Sequence, residues 1–287
     1  MTTTRAPRID AHQHYWSVAH RDYGWLQPTP ELQLIYRDFG PADLHPWLDA
    51  AGIDATVLVQ AAPSEAETWR LLQLAAAPGS RVAGVVGWCD LLHVDAPQHI
   101  AQLAAQPRLK GLRPMLQDLD DARWMLQPAL QPALRAMVRH GLVFDALVKG
   151  PDQLGALCDF AAAHGALRIV LDHGAKPPLA GGDLAAWRAG LSRLARAPNV
   201  HCKLSGMVTE AGAGWRVAGL REGVQHLLAE FGAERLLWGS DWPVLNLVAD
   251  YDAWWRASGE LLGGLSAAQH EQIFGRNAMR CYGLQLE

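Results

Sequence analysis

Short apolar runs and helix-period stretches alternate along most of the chain. The first run, residues 8–16, is an apolar–polar alternation carrying His12 and His14 two residues apart. Residues i and i+2 of a strand face the same side, so the two imidazoles are expected to project together. Residues 15–40 keep no period, yet hold Tyr15, Trp16, Tyr23, Trp25, Tyr36 and Phe39 among Pro28 and Pro30. A loop this long in a compact chain is usually functional, and it reads as one that covers a ligand site. From residue 41 the pattern is regular. Helix-period stretches fall at 41–51, 64–77, 97–106, 124–140, 152–164, 183–197, 215–231 and 266–282. Between them lie β-rich runs at 54–60, 82–89, 109–113, 142–148, 167–173, 199–205 and 235–241.

The punctuation agrees with these elements. Gly52, Gly141, Gly165 and Gly283 stand where helices end, Ser64 with Glu67 reads as a capping box, and Ser266 as the last helix's N-cap. Eight strand candidates alternating with helices imply parallel strands and right-handed crossovers. No linker or composition break interrupts 1–287, so the expectation is one α/β domain, a (β/α)8 TIM-type barrel. Neither a G-x-G-x-x-G after the first strand nor a G-x-x-x-x-G-K-[ST] is present, which argues against nucleotide-binding relatives of that architecture.

Composition narrows the function. Half of the 287 residues are hydrophobic and 19% are charged, enough for a large core. A net charge of −4 gives no reason to expect nucleic acid or an anionic membrane as partner. Residues 1–5 lead into no apolar h-region, and no apolar run reaches the roughly 18–20 residues that span a bilayer, so the expected location is cytoplasmic. Cys89, Cys158, Cys202 and Cys281 form no C-x-x-C pair and read as buried small hydrophobes. No feature of the sequence specifies an oligomeric state.

The chemistry collects at strand ends, where a barrel of this kind carries its active site. Strand 1 ends on His12 and His14, strand 2 on Gln60, strand 6 on His173 and strand 8 on Asp241. Strand 4 carries Lys110 and Arg113, and strand 7 carries Lys203. Three imidazoles and a carboxylate make a reasonable set for a single zinc. The cations are candidates for contacting a substrate; the competing reading is an interior cation paired with Asp145 or a similar acid. Of the twelve tryptophans, Trp16, Trp25, Trp88 and Trp242 are placed to wall a pocket. Asp10, expected on the same strand face as the histidines, reads as a hydrogen-bond partner behind them.

Ile9-Asp10-Ala11-His12-Gln13-His14-Tyr15-Trp16, Leu171-Asp172-His173-Gly174-Ala175-Lys176-Pro177, Cys202-Lys203-Leu204-Ser205-Gly206 and Trp238-Gly239-Ser240-Asp241-Trp242-Pro243 together resemble the amidohydrolase superfamily. They are closest to its sugar-lactonase branch, of L-fuconolactonase and L-rhamnonolactonase type, with the related pyrone-dicarboxylate lactonase. The likeness runs over nearly the whole chain. It implies hydrolysis of a sugar (aldono) lactone, L-fuconolactone first, with a small-molecule substrate and a role in L-fucose catabolism. Asp241 would be the general base, with His12, His14 and His173 holding water and polarising the carbonyl. One departure from the superfamily's binuclear members matters: strand 5 has Asp145 but no histidine, so two metals are not expected. His12, His14, His173 and Asp241 could hold one zinc, and the resemblance implies lactonases able to work without it. Two alternatives stand: a zinc-dependent decarboxylase or hydratase of the same superfamily, and a barrel that binds without catalysis.

Overall fold

The computed structural model describes residues 5–286; residues 1–4, part of the stretch read as carrying no secretory signal, and residue 287 lie outside the described residues. Eight strands follow in chain order: β1 (Ile9–Gln13), β2 (Ala55–Val59), β3 (Val82–Gly87), β4 (Leu109–Leu112), β5 (Val143–Ala146), β6 (Ile169–Leu171), β7 (Val200–Leu204) and β8 (Leu236–Trp238). Each pairs in parallel with the next. The ring closes beyond the strand ends, where His14 N–H donates to Trp242 O at 2.7 Å and Asp241 N–H to His12 O at 2.8 Å. The architecture is the (β/α)8 barrel expected from the alternation.

The helices are α1 (Pro41–Ala51), α2 (Glu65–Ala76), α3 (Ala96–Ala104), α4 (Gln131–Arg139), α5 (Gly150–Ala163), α6 (Ala185–Leu194), α7 (Met207–Ala211), α8 (Val217–Phe231), α9 (Tyr251–Leu261), α10 (Ala267–Glu271) and α11 (Asn277–Tyr282). The expected helix 124–140 is shorter than its apolar period suggests. Two 3₁₀ turns, Trp124–Leu126 and Pro128–Leu130, precede α4, because Pro128 and Pro132 tolerate only a first helical turn. The last helix, 266–282, is interrupted by a π turn at Gln272–Arg276, though its Ser266 cap and its Gly283 stop are as expected. Sequence reading missed α9, capped by the Asp250 side chain on Ala253 N–H at 2.7 Å. No helix among the described residues is long and apolar enough to cross a membrane.

Two apolar layers hold the barrel. Inside, Ile9, Ala11, Val57, Val59, Val143, Val170 and Leu237 pack with Cys281, Tyr282 and Leu284, so the C-terminal helix plugs the end of the barrel opposite the histidines. Outside, the helices bury a continuous layer of leucine, phenylalanine and tryptophan against the sheet.

Stability should respond to acid through His201 of β7. His201 is brought down to about 4 by burial, reinforced by Arg280, Arg235 and Arg168. A histidine with a depressed folded pKa contributes fully above its unfolded value and loses that contribution as pH falls through the folded one. The window here runs from about pH 6.5 down to about 4. His201→Gln should shrink the drop in melting temperature between pH 7 and pH 4.5, removing a penalty of up to roughly 3 kcal/mol. An unchanged drop would show that this histidine does not report on folding.

Candidate active site

β6 and β8 are only three residues long, so His173 and Asp241 stand on the turns that follow them. Both take left-handed backbone, with φ of 51° and 59°. Such a conformation costs a residue other than glycine on the order of 1–3 kcal/mol and clusters at functional sites. Here it swings the two side chains back over the strand ends. His12 and His14 arrive from β1, where the register with β2 shifts between Asp10 and Gln13.

These four side chains converge. Asp241 Oδ1 lies 3.4 Å from His14 Nε2 and 3.7 Å from both His12 Nε2 and His173 Nε2. The Nε2 atoms of His12 and His14 are 3.2 Å apart. Ligand atoms of a tetrahedral zinc, with bonds of about 2.0–2.2 Å, are separated by roughly 3.3–3.6 Å. His12, His14 and Asp241 therefore form a donor group of the right kind and spacing for one divalent cation, with His173 at its edge beside Asp241.

Each imidazole is aimed from behind. His14 Nδ1 is 2.8 Å from Val59 O, so it donates there and Nε2 presents its lone pair. His173 Nδ1 meets Ser205 Oγ at 2.8 Å. His12 Nδ1 is contested between Lys203 Nζ at 3.1 Å and Asp172 Oδ1 at 3.4 Å. When it donates to Asp172, Nε2 is free to bind a cation; when it accepts from Lys203, Nε2 carries the hydrogen and faces His14. Burial, reinforced by the Lys203 charge, holds His12 well below the ordinary histidine range, and burial brings His173 down to about 4. Both rings are neutral near pH 7, the form a metal requires. Burial alone would raise Asp241, but the three imidazoles overcome it and hold the carboxylate far below its usual range.

Beneath the histidines lies a layer of charge. Lys203 Nζ bonds to Asp145 Oδ2 at 2.6 Å and Asp172 Oδ1 at 3.0 Å, Arg113 reaches Asp172 Oδ2 at 3.3 Å, and Tyr282 OH donates to Asp145 Oδ2 at 2.7 Å. Burial opposes the Lys203 charge, yet its two carboxylates raise its pKa, while burial pushes Asp145 up to about 6. Asp172 also comes near His12 and His173, but Lys203 and Arg113 already neutralise it. β5 thus brings Asp145 to a structural ion pair and supplies no second metal histidine.

The other expected site residues divide. Gln60 and Arg113 meet: Gln60 Nε2 donates to Arg113 O at 2.8 Å and an Arg113 Nη donates to Gln60 O. Gln60 Oε1 and Arg113 Nε are buried without a partner among the described residues. Lys203 is fully buried in the ion pairs above, which is the competing reading raised from sequence rather than a substrate contact. Lys110 departs from expectation. It is the second residue of β4, and its side chain lies beside Gly84 and Leu284, at the end of the barrel away from the histidines. Trp25 and Trp88 line a cavity of about 600 Å³ with Trp124 and Met115. Trp16 and Trp242 are buried and do not line it, Trp16 lying edge-on to Trp25 at 5.5 Å and Trp242 edge-on to Phe39 at 5.2 Å. The 15–40 loop is pinned at its base by Trp16 and Phe39 and contributes Asp22, Gly24 and Trp25 to that cavity.

Asp10 is a correction. The register shift parts it from the histidine face: its carboxylate accepts from His12 N–H at 3.2 Å, Ser240 N–H at 2.9 Å and Tyr251 OH at 3.0 Å. It bonds to no imidazole and instead ties β1 to the exit of β8. The Ser64–Glu67 capping box is also half made. Ser64 caps Glu67 N–H, but the Glu67 carboxylate turns to Ala61 and Ala62 N–H, gripping the chain just past Gln60.

Two glycines were missed. Gly206 has a φ of 68°, and a Cβ there would lie 2.8 Å from His173 Nδ1; a Cβ on Gly239 would lie 2.8 Å from the His12 Cβ. Their signal was present in the sequence, a glycine directly after the strand 7 run and one within the strand 8 run, two residues before Asp241. Gly206→Ala should both strain the backbone, by on the order of 1–3 kcal/mol, and push His173 off Ser205. The expected result is a fall in kcat well beyond the fall in melting temperature; a folded variant with unchanged kcat would remove Gly206 from the site.

An amidohydrolase family model matches residues 9–284. An L-fucono-1,5-lactonase of Burkholderia ambifaria is 49% identical, covering 96% of this chain and 95% of that protein. An L-fucono-1,5-lactonase of Burkholderia multivorans is 40% identical, with 97% of each covered. A crystal structure of a Burkholderia multivorans amidohydrolase with bound zinc superposes with a TM-score of 0.91 at 38% identity, covering 98% of this chain and all of that one.

Proposed function

The chain belongs to the amidohydrolase family, and on that premise we propose how its barrel mouth hydrolyses a sugar lactone. The substrate is of the L-fucono-1,5-lactone type, the activity named for relatives at 49% and 40% identity. The observation that carries the reading is the convergence of three imidazole nitrogens on one carboxylate held ionised, 3.4–3.7 Å away.

A lactone is an activated ester, so a water molecule and one base suffice to open it. Asp241 takes the proton of the attacking water as its oxygen bonds to the carbonyl carbon. The tetrahedral intermediate collapses with cleavage of the bond to the ring oxygen, and Asp241 returns the proton to that leaving oxygen. A base placed this way contributes about 10²–10⁴-fold. His14, with its Nε2 lone pair, holds the water, and His12 and His173, with the hydrogen on Nε2, polarise the carbonyl. His12, His14, His173 and Asp241 are the residues that would bind a zinc, which supplies Lewis acidity when present. The ester is reactive enough that these side chains sustain turnover without it. To the substrate hydroxyls we assign Gln60 and Arg113, whose Oε1 and Nε are buried without a partner among the described residues, and to the sugar ring Trp25 and Trp88, which share a cavity wall. Lys203 acts through His12 rather than on the substrate.

The experiment is a panel of aldonolactones followed by proton release, on protein as purified and after dialysis against a chelator, with metal analysis of both. The expected outcome is preferred turnover of L-fucono-1,5-lactone, with measurable activity surviving in the chelated protein. Silence on every lactone, with turnover of aromatic carboxylic acids, would overturn the reading in favour of a decarboxylase.

A further inference from the structure

One cluster of ligating side chains takes no part in this chemistry. Cys89 follows the exit of β3, Glu65 is the first residue of α2, and His99 lies in the first half of α3. Three separate elements bring a thiol, a carboxylate and an imidazole together, their donor atoms all within 4.8 Å of one another. Among the described residues such clusters occur only here and around the histidine centre. His99 Nδ1 is 3.1 Å from Glu65 Oε1, and the ring of His93 stacks on that of His99 at 5.2 Å with the planes 16° apart. Cys89 is buried, whereas the side chains of Glu65 and His99 are 32% and 34% exposed. A cation would therefore reach the thiol from solvent past these two groups.

We propose that Glu65, Cys89 and His99 form a second binding site, containing sulfur, for a divalent cation of the zinc class. The ligand types fit: zinc takes thiolate, imidazole and carboxylate together, with about 2.3 Å to sulfur and roughly 2.0–2.2 Å to nitrogen and oxygen. Its ligand atoms then stand roughly 3.3–3.7 Å apart, so side-chain rotations closing the 4.8 Å cluster by about an ångström complete three corners. The fourth corner is left for water. Binding exchanges one proton for one bond, the Cys89 S–H giving up H⁺ as sulfur joins the metal. In the free protein, burial and the neighbouring Glu65 charge keep that thiol protonated. A dication between them turns the same carboxylate from a repulsive neighbour into a ligand. Trp88 precedes Cys89 in the chain and both line the cavity that Trp25 also walls, so an occupied site would brace the β3 exit that carries Trp88. The proposal holds whichever reaction the mouth performs.

Cobalt separates the two sites. The histidine centre contains no sulfur, so only the second site can give thiolate-to-cobalt charge-transfer absorption in the near ultraviolet. Titrating Co²⁺ into metal-free protein should produce that absorption, with two equivalents bound at saturation and likewise two of Zn²⁺. Cys89→Ser should abolish the band and reduce the stoichiometry from two to one, leaving the visible cobalt spectrum of the histidine centre. His99→Gln, at a third-exposed position, tests the same point should Cys89→Ser fail to fold. Saturation at one equivalent without a sulfur band, or a band that persists in Cys89→Ser, would overturn the site.

Discussion

Asp241→Asn is expected to lower kcat about 10³-fold, near 4 kcal/mol of transition-state stabilisation, with KM and melting temperature nearly unchanged. The substitution is clean because of where Asp241 sits. Its φ of 59° is one that asparagine adopts readily, and its backbone N–H still donates to His12 O. What is lost is the ionised carboxylate facing three imidazoles. Asp241→Ala would mix that loss with the strain of an alanine in left-handed backbone, and is the poorer test. A folded Asp241→Asn enzyme with near-normal kcat would remove Asp241 as the base.

Lys203→Met should have the largest effect on stability. Methionine preserves the volume but leaves Asp145 and Asp172 facing each other without the ammonium between them. Removing one partner of a buried ion pair costs about 3–5 kcal/mol. At this chain length that is a fall in melting temperature on the order of 10 °C. Adding Asp145→Asn to Lys203→Met should recover part of the loss, since the stranded charge is then gone. Cutting the exposed Arg276–Glu271 pair with Arg276→Ala is the contrast, expected to cost under about 1 kcal/mol. A loss as small in Lys203→Met would mean that the interior charges are solvated or rearranged.

Much of this was legible from sequence because the barrel turns local order into common position. The alternation of runs gave eight parallel strands, and once strand ends share one mouth, His12, His14, His173 and Asp241 meet. What escaped depends on register and on contacts between distant parts of the chain. Asp10 is two residues before His12 and should share its face, but the shift between β1 and β2 sends it to Tyr251. Lys110 and Arg113 are three apart on one short strand and end up at opposite ends of it, one beside Leu284 and one beside Gln60. Tyr282 closes the charge layer from the far end of the chain, which no local pattern announces.

The seam between β1 and the exit of β8 has a consequence for how this protein is assayed. The histidine pair is delivered by the first strand and the base by the turn after the last. They are held together by two backbone hydrogen bonds, His14 to Trp242 and Asp241 to His12. A species with seven strands in place would show nearly native circular dichroism and no turnover. Catalysis is thus a reporter for completion of the ring, and loss of activity should precede loss of ellipticity wherever this seam opens locally before the rest unfolds. By the same geometry a nascent chain stays inert until the segment beyond residue 242 has been made and docked, so synthesis passes through no partly active enzyme.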